Sequence, residues 1–235
     1  MAINPLLAPL GRVLLFGGYT AALALWLFSY VGHFFLSRST EDTLSAWGFY
    51  PTPVLFLGIL LYAVIPPRRK KVWAAGIALV VGILVLNFTW PLKAYSDRLY
   101  VQRHKAALDG LVAEIIAYER IRSMDYDYLP AVNGTFVLLP GQSAASAPHL
   151  RRVALATALA RDSIDPAKFA DFQHRLAELH FMAFWTDRGE VTIARSRGDG
   201  LLYRSSGTPL ERGTPLGNNG RVVRVLAKNW YYAVW

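Results

Sequence analysis

The sequence predicts a membrane protein with about three N-terminal transmembrane α-helices followed by a small α+β domain, in which helices cover one face of an antiparallel sheet. The mean hydropathy of +0.27 and the 54% hydrophobic content are high for a single soluble domain. Residues 1–96 carry seven basic and two acidic side chains, whereas residues 97–235 carry 18 and 14. We therefore divide the chain into a transmembrane region, 1–94, and an extramembrane domain, 95–235.

The first apolar segment, residues 13–36, contains no charged side chain. At 1.5 Å per residue it is long enough to cross a hydrocarbon core of about 30 Å. A cleaved signal peptide is the alternative, but its apolar region is typically only about 7–15 residues long. The length therefore favours a transmembrane span.

The second segment is shorter, because its uninterrupted apolar run covers only residues 54–65. A run of this length fits either a span or a re-entrant segment. It reaches spanning length if it begins at Trp47, which would place Pro51 and Pro53 in the first turn, where a missing N–H costs least. We predict a span over 47–65 and a polar loop over 37–48.

The third segment, residues 72–92, is again uncharged and of spanning length. Ala74, Ala78 and Gly82 recur every four residues along one face, which predicts a seam where another helix packs closely. Because none of the three predicted spans contains an Asp, Glu, Lys or Arg, the sequence does not indicate a proton relay or an ion pathway.

Orientation is predicted from the basic loop Arg68, Arg69, Lys70 and Lys71 between the second and third segments. Short loops rich in Lys and Arg stay on the cytoplasmic side of the membrane. If this loop is cytoplasmic and residues 72–92 span, the C-terminal domain lies outside the cytoplasm, whether or not 47–65 crosses. We therefore predict a multi-pass inner-membrane protein with an extracytoplasmic domain.

Two helices are predicted in the extramembrane domain. Residues 95–121 show an approximately helical apolar face and would form a stalk. Residues 165–180 form the clearer helix, because Asp165 can cap its N-terminus, Pro166 suits the first turn, and apolar residues follow at spacings of three and four.

Strand-forming composition begins at residue 181 and continues to the C-terminus. Five strands are predicted within 181–235, and another is predicted over 135–139 after the Asn133-Gly134 turn signal. The order of helices followed by closely spaced strands is typical of an α+β layer arrangement.

Catalytic chemistry has weak support in this sequence. Asp125 and Asp127, with His149 or Glu119 brought near by the fold, could form an acidic site, but two carboxylates in a loop are more often solvated turn residues. The chain contains no cysteine and no Gly-x-Ser-x-Gly or His-Glu-x-x-His motif. We assign no catalytic residue, metal site or cofactor.

The aromatic C-terminus, residues 230–235, is either a strand buried on both faces or a binding surface. Trp and Tyr are enriched at binding hot spots, so Trp230, Tyr231, Tyr232 and Trp235 are candidate interaction residues. The net charge of +9 does not indicate nucleic-acid binding, because more than half of the excess lies at membrane-flanking positions.

These observations predict a membrane-anchored, non-enzymatic interaction or accessory protein of a bacterial cell envelope. Its partners would be the lipid bilayer and either another protein or further copies of itself. An envelope enzyme that acts on lipid, glycan or peptide through the acidic loop is the alternative. The layout of a few spans followed by a small α+β domain is common among bacterial envelope proteins.

Overall fold

The computed structural model describes residues 7–64, 68–127, 129–139, 151–187, 189–196, 198–205, 208–216 and 220–235. The chain divides into two compact units, Met1–Asp97 and Arg98–Trp235, which we call the membrane unit and the C-terminal unit. His149 and the prolines before the basic loop lie outside the described residues.

The membrane unit is helical and contains three stretches long and apolar enough to cross a bilayer, judged by length and composition. These are Val13–Val31, Ser39–Tyr62 and Val72–Arg103. They are formed by α1 (Leu7–Val31), by α2 (Arg38–Phe49) with α3 (Pro51–Val64), and by α4 (Arg68–Arg103), whose last residues enter the C-terminal unit.

One part of the membrane unit differs from the prediction, because residues 38–49 form helix α2 instead of a polar loop. Ser37 caps this helix by accepting a hydrogen bond of 3.3 Å from the N–H of Thr40, and Glu41 lies in the first turn. Both features stabilise a helix N-terminus. The polar composition of 37–48 thus reflects a capped helix start.

Tyr19 lies at the centre of the membrane-unit core. It packs with Leu23, Ile59, Ala75 and Ala78, and its hydroxyl donates a hydrogen bond of 3.2 Å to the carbonyl of Ala78. This contact joins α1 to α4 and satisfies a polar group that would otherwise be costly in an apolar setting.

The C-terminal unit contains three further helices and nine strands within its described ranges. The helices are α5 (Lys105–Ala117), α6 (Leu155–Arg161) and α7 (Pro166–Glu178). The strands are β1 (Ser123–Asp125), β2 (Ala131–Val132), β3 (Thr135–Leu138), β4 (Val153–Ala154), β5 (Ala183–Asp187), β6 (Glu190–Ala194), β7 (Asp199–Arg204), β8 (Arg221–Ala227) and β9 (Trp230–Val234).

The nine strands form one mixed sheet in the order β4-β3-β2-β1-β5-β6-β7-β9-β8. Most neighbours are antiparallel, but β3 and β4 are parallel, with Val137 opposite Val153. The predicted all-antiparallel sheet is therefore wrong at this edge. A parallel pair needs a crossover connection between its two strands.

Two layers cover the sheet. On one face Phe184 packs edge-to-face on Phe172 of α7, with ring centroids 5.9 Å apart. On the other face Leu210 of the segment after β7 packs with Leu202 and Tyr231. The central strands are consequently buried on both faces, which explains their nearly continuous apolar sequence.

Helix α7 begins as the sequence predicts. The Oδ1 atom of Asp165 accepts a hydrogen bond of 2.9 Å from the N–H of Ala167, and Pro166 occupies the first turn. The apolar stripe of Phe169, Phe172 and Leu176 is buried. The predicted stalk is divided at His104 into the end of α4 and the separate helix α5.

Candidate functional site

The acidic loop is a turn at the end of β1. The backbone N–H of Asp127 donates a hydrogen bond of 3.0 Å to Oδ1 of Asp125, and Tyr126 between them donates its hydroxyl to the carbonyl of Phe181. Burial, with the nearby carboxylates as a smaller cause, raises the pKa of Tyr126 to about 12, so this hydroxyl remains a donor. Across the described ranges, no group of three or more His, Asp or Glu could hold a metal ion.

The aromatic C-terminal strand lies within the sheet. Trp230, Tyr231 and Tyr232 are buried, whereas Trp235 is partly exposed. Trp235 packs edge-to-face on Trp185 of β5, with ring centroids 4.8 Å apart. Of the four predicted interaction residues, Trp235 therefore has the most accessible side chain, and the binding role of the set stays a prediction.

The predicted helix-packing seam faces α1 within the membrane unit. Ala78 is buried beside Tyr19, and a Cβ atom on Gly82 would lie 2.7 Å from the hydroxyl of Tyr19. Ala74 is half-buried, and its neighbour Ala75 is buried in the core. The side chains of Arg68, Arg69, Lys70 and Lys71 lie outside the described part, so the orientation that they predict stays a prediction.

An open groove of about 580 Å³ lies beside the neighbouring strands β1 and β5, and we call it the Trp185 groove. Strands β1 and β5, the β2–β3 turn and the C-terminal end of α6 bring its walls together. The walls are Arg122, Ser123, Asn133, Gly134, Arg161, Asp162, Trp185 and Thr186. They combine guanidinium, amide, hydroxyl and indole groups in a space large enough for a peptide segment or a small ligand.

The side chain of Asn133 forms hydrogen bonds that connect several walls of the groove. Its Oδ1 accepts hydrogen bonds of 2.7 and 3.3 Å from the backbone N–H groups of Arg122 and Ser123. Its Nδ2 donates to the carbonyl of Arg120 at 2.8 Å and to Oδ2 of Asp162 at 3.0 Å. The left-handed backbone of Asn133 and Gly134, with φ of 49° and 75°, suits the Asn-Gly turn seen in the sequence.

Arg161 and Asp162 form the second support of the groove. The Nε of Arg161 lies 2.7 Å from Oδ1 of Asp162, and an NH2 hydrogen bond of 2.8 Å reaches the hydroxyl of Thr135. Hydrogen bonding by Arg161 lowers the pKa of Asp162 below its ordinary value. The walls of the groove therefore carry two guanidinium groups, of Arg122 and Arg161, and one ionised carboxylate, of Asp162. This net positive charge favours a ligand with negative charge.

Trp185 also lines a smaller, more acidic recess of about 40 Å³. Asp187, Glu190 and Trp235 contribute to its walls, and the guanidinium of Arg204 pairs with Glu190. The half-buried Trp185 thus lines both a basic groove and an acidic recess. Sequence reasoning missed this arrangement, because strand composition indicated where β5 lies and gave no information on which loops would meet its side chains.

The membrane unit contains buried charges that the sequence analysis placed outside the spans. The Nζ of Lys93 lies 3.5 Å from Oδ1 of Asp97, and both side chains are almost completely buried. The same Nζ lies over the rings of Tyr30 and Phe34, at 5.4 and 5.7 Å from their centroids. Such cation–π contacts and ion pairing offset the cost of desolvating an ammonium group.

A side-chain hydrogen bond in this unit joins the turn that follows α1 to α2. The Nδ1 of His33 lies 2.8 Å from Oε1 of Glu41, and both side chains are largely buried. The i,i+4 spacing of Lys93 and Asp97 was a usable sequence signal, whereas the pairing of His33 with Glu41 depends on how α2 folds back against α1. Together the pairs fix α1, α2 and α4 near one end of the unit.

The fold and its groove define a class of protein: a helical unit with three stretches of membrane-spanning length and composition, joined to a mixed-sheet α+β unit with an open, net-basic groove beside a tryptophan. Comparisons of the chain with models of protein families, with curated proteins and with solved structures find no match.

Proposed function

We propose that this protein is a membrane-anchored, non-enzymatic interaction or accessory protein of a bacterial cell envelope, and that its C-terminal unit binds a protein partner in the Trp185 groove. The observation that carries the proposal is the composition of this groove, which combines a half-buried tryptophan with exposed arginines. Trp and Arg are the residues most enriched among those that dominate binding energy at interfaces.

The hydrogen bonds around Asn133 and Asp162 support a binding role. They tie the β2–β3 turn to the end of α6, so the groove walls are held in place before a partner arrives. A preformed surface loses less conformational entropy on binding. The charge of the two guanidinium groups favours a partner segment that presents carboxylates.

The alternative function, an envelope enzyme that acts through the acidic loop, has less structural support than binding in the Trp185 groove. Asp125 accepts the N–H of Asp127 within a local turn, and the groove and recess described above are lined by other residues. A binding function therefore accounts for more of the described geometry than catalysis through Asp125 and Asp127.

Photo-crosslinking in cells tests the binding surface. A benzophenone amino acid at position 122, in the groove wall, should give one discrete adduct with an envelope protein. The same probe at Arg212, which is also an exposed arginine of the C-terminal unit but lies outside the groove, should not. Equal crosslinking at both positions, or none at position 122, would refute the groove as the binding site.

The orientation in this proposal rests on the basic loop and can be tested separately. Because the chain contains no cysteine, Lys228→Cys in the exposed β8–β9 turn and Lys70→Cys in the basic first turn of α4 each provide a unique thiol. A membrane-impermeant maleimide should label position 228 in intact spheroplasts and position 70 only after permeabilisation. The reverse pattern would place the C-terminal unit in the cytoplasm.

A further inference from the structure

The membrane unit contains a cavity of about 250 Å³ that neither the predicted spans nor the proposed function explains. Its walls come from α1, α3 and α4 and from the end of α2. Prominent among them are Leu23, Trp26, Phe49, Phe56, Ile83 and Leu86. Almost all of this surface is hydrocarbon or aromatic ring.

The hydroxyl groups in the cavity walls are already bonded within the protein. Tyr19 donates its hydroxyl to the carbonyl of Ala78 at 3.2 Å. Thr52 donates to the carbonyl of Gly48 at 2.6 Å. A polar ligand would therefore lose hydration without gaining these hydrogen bonds, and apolar cavities of this kind do not hold water well.

The cavity is continuous with the apolar outer surface of α4. Three of its wall residues, Leu79, Ile83 and Leu86, are 47%, 48% and 62% exposed, so the cavity opens along the face that a bilayer would cover. In a membrane this face is surrounded by acyl chains. The cavity is smaller than the pockets of about 300–1,000 Å³ that enclose drug-sized ligands, which suits part of one chain better than a whole lipid.

We propose that this cavity binds one acyl chain of a membrane phospholipid. The chain enters from the exposed face of α4 and packs against the aromatic rings of Trp26, Phe49 and Phe56. Dispersion contacts with these rings hold it more tightly than the surrounding lipids, because a filled cavity regains contacts that an empty one lacks.

Lipid retention by the full-length protein tests this proposal. The protein is reconstituted with palmitoyl-oleoyl phosphatidylcholine, extracted into mild detergent, and analysed by native mass spectrometry. Leu79→Trp places a large ring at the cavity mouth, whereas Val80→Trp places the same ring on the neighbouring, 54% exposed position that does not line the cavity.

We expect one phospholipid per chain in the wild type and in Val80→Trp, and loss of most of it in Leu79→Trp, because the ring fills the cavity mouth and removes the dispersion contacts that hold the acyl chain. Equal retention in the two variants would overturn the proposal. So would an absence of lipid from the wild type, or a dimer in which a second copy replaces the lipid.

A second measurement does not depend on a bulky substitution. Reconstitution with phosphatidylcholine brominated along its acyl chains should quench Trp26, and the contribution of Trp26 is obtained by subtracting the signal of Trp26→Phe. After tenfold dilution with unbrominated lipid, quenching of Trp26 should outlast that of the remaining tryptophans. If the fluorescence of Trp26 recovers as fast as that of the other tryptophans, the lipids beside Trp26 exchange freely with the bilayer, and the proposal is wrong.

Discussion

The indole N–H of Trp230 donates a hydrogen bond of 2.9 Å to Oδ1 of Asp109, which joins the last strand of the sheet to helix α5. Trp230 is fully buried, and its ring lies 5.1 Å from that of Tyr203 on the neighbouring strand. The carboxylate of Asp109 also pairs with the exposed Lys105. A buried donor and a helix carboxylate 121 residues apart therefore hold one face of the C-terminal unit together.

Replacing Asp109 with Ala should destabilise the C-terminal unit by about 1–3 kcal/mol, because the buried indole N–H loses its acceptor. Asp109→Asn, which keeps an acceptor oxygen, should cost less. The measurement is thermal unfolding of the full chain in mild detergent, followed by near-ultraviolet circular dichroism. Lys105→Ala is the control and should change stability by less than about 1 kcal/mol, since this ion pair is exposed. Equal losses in Asp109→Ala and Lys105→Ala would show that the indole bond contributes little.

Two glycines of the C-terminal unit should respond to alanine in opposite directions. At Gly200, a Cβ atom would lie 2.9 Å from both Cα of Ala194 and a ring carbon of Trp235, and closer still to the carbonyl of Ile193. Gly200→Ala should therefore force β6 and β7 apart, with a loss of several kcal/mol. Gly110 in α5 has only the end of Arg175 nearby, at 3.7 Å, so Gly110→Ala should raise stability by about 0.5–1 kcal/mol. Urea unfolding of both variants measures the contrast. A stable Gly200→Ala protein would contradict the close approach of these strands.

The ion cluster around Glu114 should make stability depend on acidity below pH 4.5. Glu114 lies 2.5 Å from Nζ of Lys168 and 2.7 Å from NH1 of Arg175. Hydrogen bonding by Lys168, and then by Arg175, lowers the pKa of Glu114 below its ordinary value of 4.5. The unfolded chain then binds this proton at higher pH than the folded chain does. The stabilisation that ionised Glu114 provides is fully present above pH 4.5. It is lost as the pH falls through the lower pKa that Glu114 has in the folded state. Glu114→Gln should remove this part of the dependence of stability on pH. If the stability of the variant still falls below pH 4.5 as in the wild type, Glu114 is not the source of the loss.

His180 should produce a separate loss of stability as the pH falls below 6.5. Burial, then the charges of Arg195 and His104, lowers the pKa of His180 below the ordinary value of 6.5. Because the unfolded chain takes up this proton first, acidification favours unfolding until the pH passes the folded-state pKa. His180 has a φ of 59°, a conformation that Asn adopts more readily than Ala. His180→Asn should therefore keep the fold and reduce the loss of stability below pH 6.5, and the remaining loss should come from His104, whose pKa burial also lowers. His174→Asn, at an exposed position of the same unit, is the matched control. If both variants behave alike, the titrating group lies elsewhere.

Local sequence patterns were sufficient for much of the fold. Three apolar stretches of spanning length, a capped α7 beginning after Asp165, and five strands in the C-terminal part are all present. Each depends on a pattern within one segment: the length of an apolar run, a capping side chain, or strand-forming composition. The prediction of a loop over 37–48 was wrong, because a polar segment between two apolar runs resembles a loop. Ser37 and Glu41 did indicate the start of a helix, α2.

The candidate sites depended on contacts between segments far apart in the chain. The Trp185 groove needs Asn133 to reach Asp162 and α6 to end beside β5, and the membrane cavity needs α1, α3 and α4 to leave a gap between them. The parallel pairing of β3 with β4 is of the same kind.

The sequence by itself determined the apolar stretches and the conformation of the clearest segments, because hydropathy, caps and periodicity act over a few neighbouring residues. Only the tertiary structure decided that Trp230 meets Asp109, that Trp185 lines both a basic groove and an acidic recess, and that Tyr19 faces Gly82. Such contacts follow from strand register and helix packing, which depend on how all the segments fit together in space.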